Sequence, residues 1–160
     1  VNRFDALSAP RGHLLLQTLR SHDQWNTVPY TTDDRYRGIH GSRRVVLVHP
    51  ADLRALGLED GSRVDVVSVW PDGTERRAED FRLVSYPTTA GCAAAYYPEA
   101  NVLVPLDSVA DTSNTPTYKG IVVRLEPRSG DRVSGRAGAG VTGGQSPGSP
   151  PRSEDRTRRP

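Results

Sequence analysis

The sequence predicts a mainly β domain that closes into a small barrel with long loops. Apolar residues recur mostly with a period of two, and their runs are short and separated by turn-forming Gly, Pro and Asp residues. The ordered part of the chain accommodates about six such strands and one or two short helices. A flat sheet of that many strands would leave unpaired edges, whereas a closed barrel removes them.

The first predicted elements are two strands and a helix. Leu14–Leu19 is the first strand, and Val45–Val48 is a continuous apolar run typical of a strand covered on both faces. We predict a short helix over residues 49–58, with Pro50 in its first turn and Gly57 at its C-terminal cap. We expect this helix to cover one end of the sheet.

The remaining strands follow turn signals. Asp60-Gly61 and Asp72-Gly73 precede two apolar-patterned segments, 63–70 and 74–86, which therefore predict a hairpin. Cys92–Tyr96 and residues 121–125 complete the set of strands.

Composition divides the chain into two regions. Residues 1–127 carry 14 basic and 16 acidic side chains, whereas residues 128–160 carry seven basic and three acidic ones. The second region contains 16 Gly, Pro or Ser residues among its 33 and no aromatic residue. Such a segment buries too little apolar surface to offset its ordering entropy, so we predict a barrel domain over 1–127 and a disordered tail over 128–160. Four arginines near its end, without aromatic neighbours, do not lead us to expect nucleic acid as a partner.

Several classes of protein do not fit the composition. The chain has neither an apolar run near the roughly 20 residues of a membrane span nor a secretory leader, so we expect no membrane association and a cytoplasmic location. One cysteine, Cys92, is too few for a zinc or iron–sulfur site, so no metal ligands are predicted. The sequence opens on Val1 and contains no Met, so we expect either a piece of a longer product or an alternative start codon.

Two long segments lack the periodicity of packing elements: residues 20–44, the first loop, and residues 98–120, the second loop. Loops of this length are usually either functional or disordered. The first loop combines arginines, hydroxyls, amides, carboxylates and aromatic rings, a mixture that suits a planar, phosphorylated ligand. The alternative is that these polar groups only satisfy one another and the loop backbone.

Lys119, in the second loop, is the only lysine beside 20 arginines. A lysine kept in an arginine-rich chain hints at a role for a compact ammonium charge. The alternative is an ordinary exposed cation.

Five segments together resemble a known family. They are a polar loop, an arginine-containing turn, a helix–turn–strand unit, a Tyr-Tyr-Pro segment and the approach to the last strand, at residues 18–27, 34–38, 56–64, 95–106 and 114–119. In this order they resemble the C-terminal molybdopterin-dinucleotide-binding domain of the molybdopterin oxidoreductases, in the branch of the formate-dehydrogenase-like alpha subunits. The resemblance covers residues 14 to 127.

The resemblance implies a double-psi β-barrel that closes over bis-molybdopterin guanine dinucleotide, with its molybdenum, held mainly by other domains of a longer subunit. The implied cofactor-binding residues lie in the two loops or just before them: Thr18, Arg20, Ser21, His22, Gln24, Asn26 and Thr27 in the first set, and Asn101, Tyr118 and Lys119 in the second. The cofactor would carry the redox reaction, and the protein would supply position and electrostatics.

The chain departs from the family in lacking an N-terminal cysteine cluster and the middle domains. An iron–sulfur cluster is therefore expected only in the missing part of the parent enzyme. We predict no catalytic residues and no turnover by this piece alone. Its expected partners are the remaining domains and, through them, a small-molecule substrate. The alternatives are a stand-alone β-barrel binding module and an inactive gene remnant.

Overall fold

A computed structural model describes residues 8–128, so the predicted tail lies outside the described residues apart from Arg128. Six longer strands and one α-helix are the main regular elements of the described chain. In chain order the elements are β1 (Leu14–Leu19), β2 (Gln24–Trp25), β3 (Val28–Pro29), β4 (Val45–Val48), α1 (Pro50–Leu56), β5 (Arg63–Ser68), β6 (Arg76–Ser85), β7 (Cys92–Tyr96), the 3-10 helix η1 (Asn101–Leu103) and β8 (Lys119–Pro127).

The six longer strands form a closed barrel in the order β1-β7-β4-β6-β5-β8. Strands β1 and β7 pair in parallel, as do β4 and β6, and the other neighbours are antiparallel. The predicted mainly β barrel is confirmed, including the hairpin of β5 and β6. The double-psi connection stays a prediction.

One face of every barrel strand contributes to an inner core. Alternate residues of each strand are buried there, such as Leu16 on β1 and Phe81 and Leu83 on β6. Because strand side chains alternate between faces, this shared cluster fills the interior of the barrel. The indole of Trp70 donates a hydrogen bond of 2.8 Å to the carbonyl of Leu103, which ties η1 to the connection between β5 and β6.

A second, outer core explains why β4 is apolar throughout. Val45 and Leu47 face away from the interior and pack with Ala94, Tyr96 and Ile39. The two-sided burial predicted for β4 is confirmed. Ile39 belongs to the first loop, so this loop contributes one residue to the outer core although it lacks the periodicity of a packing element. A single apolar residue can fill a core position without any periodicity.

The helix begins and ends where its capping residues predict. The imidazole Nδ1 of His49 accepts a hydrogen bond of 3.1 Å from the amide of Ala51. Gly57 adopts a φ of 65°, and its amide caps the last turn. The helix is shorter than the predicted 49–58 because the left-handed backbone of Gly57 ends it. No helix within residues 8–128 is long and apolar enough to cross a membrane.

Candidate functional site

A cleft opens at the end of the barrel where β1 ends and β8 begins. Its volume is about 520 Å³. Seven residues from three segments line it: Thr18, Leu19, Arg20, Tyr97, Thr115, Tyr118 and Lys119. Strand β1 lies between β7 and β8 in the barrel, so the ladder itself brings the three segments together.

Hydrogen bonds between β1 and the entrance of β8 form the floor of the cleft. The amide and the hydroxyl of Thr18 both donate to the carbonyl of Tyr118, at 3.2 and 3.1 Å. The ammonium group of Lys119 donates to the carbonyl of Thr18. On the other side of β1, the amide of Tyr97 donates to the carbonyl of Leu19 at 2.9 Å.

Two cations give the cleft a positive charge. Within residues 8–128, no carboxylate forms an ion pair with Arg20 or Lys119. Burial, and then the positive charge of Arg20, lower the pKa of Lys119. Two uncompensated cations in one cleft favour an anionic ligand.

Two aromatic rings contribute, with Leu19, to the apolar part of the wall. The rings of Tyr97 and Tyr118 lie 5.0 Å apart at an angle of 60°. Burial, followed by the neighbouring phenol of Tyr97, raises the pKa of Tyr118, so this ring stays neutral at physiological pH. A neutral ring beside two cations suits a ligand that combines a flat ring with phosphate.

Ser21 and Gln24 lie behind the cleft, bound to a buried arginine. The guanidinium of Arg43 donates to the hydroxyl of Ser21, to Oε1 of Gln24 at 2.7 Å and to the carbonyl of Tyr97 at 2.9 Å. It also pairs with both carboxylate oxygens of Glu99, at 2.6 and 3.2 Å. We refer to Arg43 with Ser21, Gln24, Tyr97 and Glu99 as the Arg43 cluster.

The other sequence-predicted residues lie away from the cleft. The ring of His22 contacts that of Tyr36 at 4.4 Å. Asn26, with a φ of 52°, and Thr27 are the exposed connection between β2 and β3. Asn101 lies at the start of η1 and lines a different groove, of about 770 Å³, together with Arg76 and Leu106.

Thr18, Arg20, Tyr118 and Lys119 are thus the predicted residues that the fold brings together. Sequence reasoning missed Leu19, Tyr97 and Thr115 as lining residues, and it missed Arg43 altogether. Tyr97 lies in the Tyr-Tyr-Pro segment that carries the family resemblance, which was an available signal. For Arg43 the sequence offered none, because its partners lie 19 to 56 residues away.

Several polar residues of the first loop satisfy one another, which was the alternative left open. The carboxylate of Asp34 accepts hydrogen bonds from the phenol of Tyr96 at 2.7 Å and from the amide of Tyr36 at 3.2 Å. Asp33 accepts a hydrogen bond of 2.7 Å from the amide of Gly41. Within residues 8–128, no three His, Cys, Asp or Glu side chains come together as a metal site.

Comparison with known proteins gives matches over most of the chain. Residues 14–122 match the family model described as the molydopterin dinucleotide binding domain. An uncharacterized oxidoreductase of Mycobacterium bovis is 59% identical over 131 residues, which are 79% of this chain and 17% of that protein. Protein YdeP of Escherichia coli strain K12 is 39% identical over 125 residues, covering 77% of this chain and 16% of YdeP.

The chain therefore spans about a sixth of the length of these curated relatives. Among solved structures, the acetylene hydratase from Pelobacter acetylenicus matches with a TM-score of 0.48 and 16% identity. That match covers 72% of this chain and 18% of the hydratase.

Proposed function

Because this chain belongs to the molydopterin dinucleotide binding domain family, we propose that its cleft binds the dinucleotide part of a molybdopterin cofactor. The observation that carries the proposal is the pair of cations, Arg20 and Lys119, which share a cleft with two tyrosine rings.

The donor set of the cleft fits such a group. A dinucleotide contains a pyrophosphate, whose oxygens match the guanidinium fork of Arg20 and the ammonium of Lys119. The rings of Tyr97 and Tyr118 offer faces or edges to a flat heterocycle. When bound, the cofactor would supply electron transfer at its metal, while this chain would bind and orient it.

We further propose the guanine form of the cofactor and a parent enzyme of the formate-dehydrogenase-like type, with this domain as its C-terminal part. The relative from Mycobacterium bovis, of which the chain covers 17%, is named an oxidoreductase, which supports a longer parent protein with redox activity. The remaining domains would be the partners of this barrel, would bring the small-molecule substrate, and would carry any iron–sulfur cluster. We place the parent enzyme in the cytoplasm.

The test is the cofactor content of the protein expressed from its complete gene in cells that make molybdopterin guanine dinucleotide. Molybdenum and the GMP released by acid hydrolysis are measured per mole of purified protein. We expect both in the unsubstituted protein. We expect Arg20→Ala and Lys119→Ala each to lower them about tenfold, because each variant loses a charge-assisted contact to phosphate.

The matched control is Arg54→Ala, which removes an exposed arginine of α1 that does not line the cleft. It should keep full molybdenum and GMP content. Unchanged content in both Arg20→Ala and Lys119→Ala would contradict the proposed site. Release of CMP instead of GMP would contradict the guanine form alone.

A further inference from the structure

The Arg43 cluster joins the two loops directly behind the cleft. We propose that Arg43 is the positioning residue of the cofactor cleft: its buried guanidinium holds the segment after β1 and the segment after β7 in the relative arrangement that the ligand requires. This inference rests on the proposed function and assigns a role to a residue that does not line the cleft.

The barrel ladder stops just short of the residues that need to be held. The pairing of β1 with β7 ends at Leu19 and Tyr96, followed by one further hydrogen bond from the amide of Tyr97. Beyond this point the two segments continue into the first and second loops. Arg20 lies one residue past the end of the ladder, so strand pairing alone does not fix its side chain.

Arg43 connects the two segments beyond the end of the ladder, and strand β4 fixes its own position. It lies two residues before β4, and its carbonyl accepts a hydrogen bond of 2.8 Å from the amide of Val45. Strand β4 pairs with β7, which places Arg43 beside the end of β7. From there its guanidinium contacts Ser21 and Gln24 on one loop and Tyr97 and Glu99 at the start of the other.

The chemistry of this position requires an arginine. The side chain is only 4% exposed, and its charge is balanced by Glu99. Its guanidinium carbon also lies 4.7 Å from the centre of the Tyr96 ring. A planar fork can serve a carboxylate, a hydroxyl, an amide and a carbonyl at once, whereas an ammonium is a single point charge. Neutralisation by Glu99 leaves Arg20 and Lys119 as the cations available to a ligand in the cleft.

The first experiment compares two carboxylates of similar exposure that both pair with arginine. Glu99→Gln weakens the Arg43 cluster, while Asp65→Asn weakens a network with Arg77 and Arg128 on the outside of β5; the two side chains are 18% and 16% exposed. We expect both variants to lose stability, because each leaves an arginine without its full ion pair. We expect only Glu99→Gln to lose cofactor, about tenfold in molybdenum and GMP per folded molecule, as is typical when a group that orients a ligand-binding side chain is removed.

Two variants at Arg43 distinguish the hydrogen bonds of its guanidinium group from its positive charge. Arg43→Gln combined with Glu99→Gln leaves no unpaired buried charge, so the barrel is expected to fold. Arg43→Lys keeps the charge but loses the fork. We expect both to retain little cofactor. We also expect exchange of the Tyr97 amide, which donates to the carbonyl of Leu19, to accelerate about tenfold in the cofactor-free protein of both variants.

Equal cofactor loss in Asp65→Asn and Glu99→Gln would overturn the proposal, since it would indicate a purely structural role. Full cofactor content in the double variant, or unchanged exchange of the Tyr97 amide, would also overturn it. These outcomes differ from a failure of the proposed function, in which the unsubstituted protein itself would contain neither molybdenum nor GMP.

Discussion

The phenol of Tyr96 donates a 2.7 Å hydrogen bond to the carboxylate of Asp34, 62 residues earlier in the chain, and both side chains are buried. Asp34 also accepts hydrogen bonds from Arg37 and from the amide of Tyr36. This contact fastens the first loop to the outer face of β7. The loop that supplies Arg20 to the cleft is therefore attached to the barrel at a second point.

Removing the phenol hydroxyl should weaken this attachment. Tyr96→Phe leaves a buried carboxylate with one donor fewer, which costs about 1–3 kcal/mol. Urea unfolding measures this change. The matched control is Tyr86→Phe: Tyr86 packs on the same outer core, and its hydroxyl forms no hydrogen bond within residues 8–128. Equal losses in the two variants would show that the Tyr96 hydroxyl contributes nothing specific.

The same carboxylate should make the fold sensitive to acid. Burial acts to raise the pKa of Asp34, but the hydrogen bonds from Tyr96 and Arg37 outweigh it, so the pKa is lowered. A carboxyl group whose pKa is lower in the folded state than in the unfolded state stabilises the fold at pH values above its unfolded-state pKa. This stabilisation is lost as the pH falls through its folded-state pKa. Asp34→Asn should therefore be less stable at neutral pH and should lose less further stability on acidification. An identical pH profile for the variant and the unsubstituted protein would contradict this assignment.

The end of α1 offers a test of backbone conformation alone. Gly57 has a φ of 65°, and a Cβ built at this position would meet no atom within 4 Å. Gly57→Ala should thus cost about 1 kcal/mol through backbone strain. Gly57→Asn should cost less, because asparagine tolerates the left-handed region better. Equal unfolding free energies for the Ala and Asn variants would contradict this explanation.

Truncating a buried leucine on either face of the barrel wall should lower the free energy of unfolding by a similar amount. Leu83 faces the interior and Leu47 faces the outer core, and both are at most 1% exposed. Leu83→Ala and Leu47→Ala should each cost about 2–5 kcal/mol, since each leaves a cavity. A penalty well below 1 kcal/mol for Leu47→Ala, measured by denaturant unfolding, would mean that the first loop does not cover β4.

Local patterns were enough to predict most of the barrel. The bounds of β1, β4 and β7 follow from their apolar runs, and the end of α1 follows from Gly57. Strand β8 begins two residues earlier than predicted and also ends two residues later. Its register shifts where Gln17 faces Lys119, and no alternation in the sequence marks such a shift.

The candidate site was predictable only where it borders a strand. Thr18 lies in β1 and Lys119 is the first residue of β8, and the antiparallel pairing of these two strands brings them together. Asn101, although part of the same family segment as Tyr97, lines a different groove, and no sequence signal distinguishes the two positions. The partners of Arg43 depend on how two loops fold back on the barrel, which no spacing in the sequence encodes.

Binding of an anionic ligand in the cleft should depend on pH. Burial and the charge of Arg20 lower the pKa of Lys119. A bound anion favours the charged ammonium, so binding of a pyrophosphate group should weaken as the pH rises through this lowered pKa. Calorimetric titration of the cofactor-free complete protein with GDP, from neutral to alkaline pH, measures the effect.

Lys119→Arg is the informative variant, because a guanidinium keeps its charge throughout that pH range. It should bind GDP with an affinity that changes little with pH, whereas Lys119→Ala should bind weakly at every pH. Arg54→Ala, on the exposed side of α1, should reproduce the profile of the unsubstituted protein. If the affinity of Lys119→Arg for GDP fell with rising pH as steeply as that of the unsubstituted protein, the titrating group would be a different one. Lys119 would then no longer belong to the anion-binding pair.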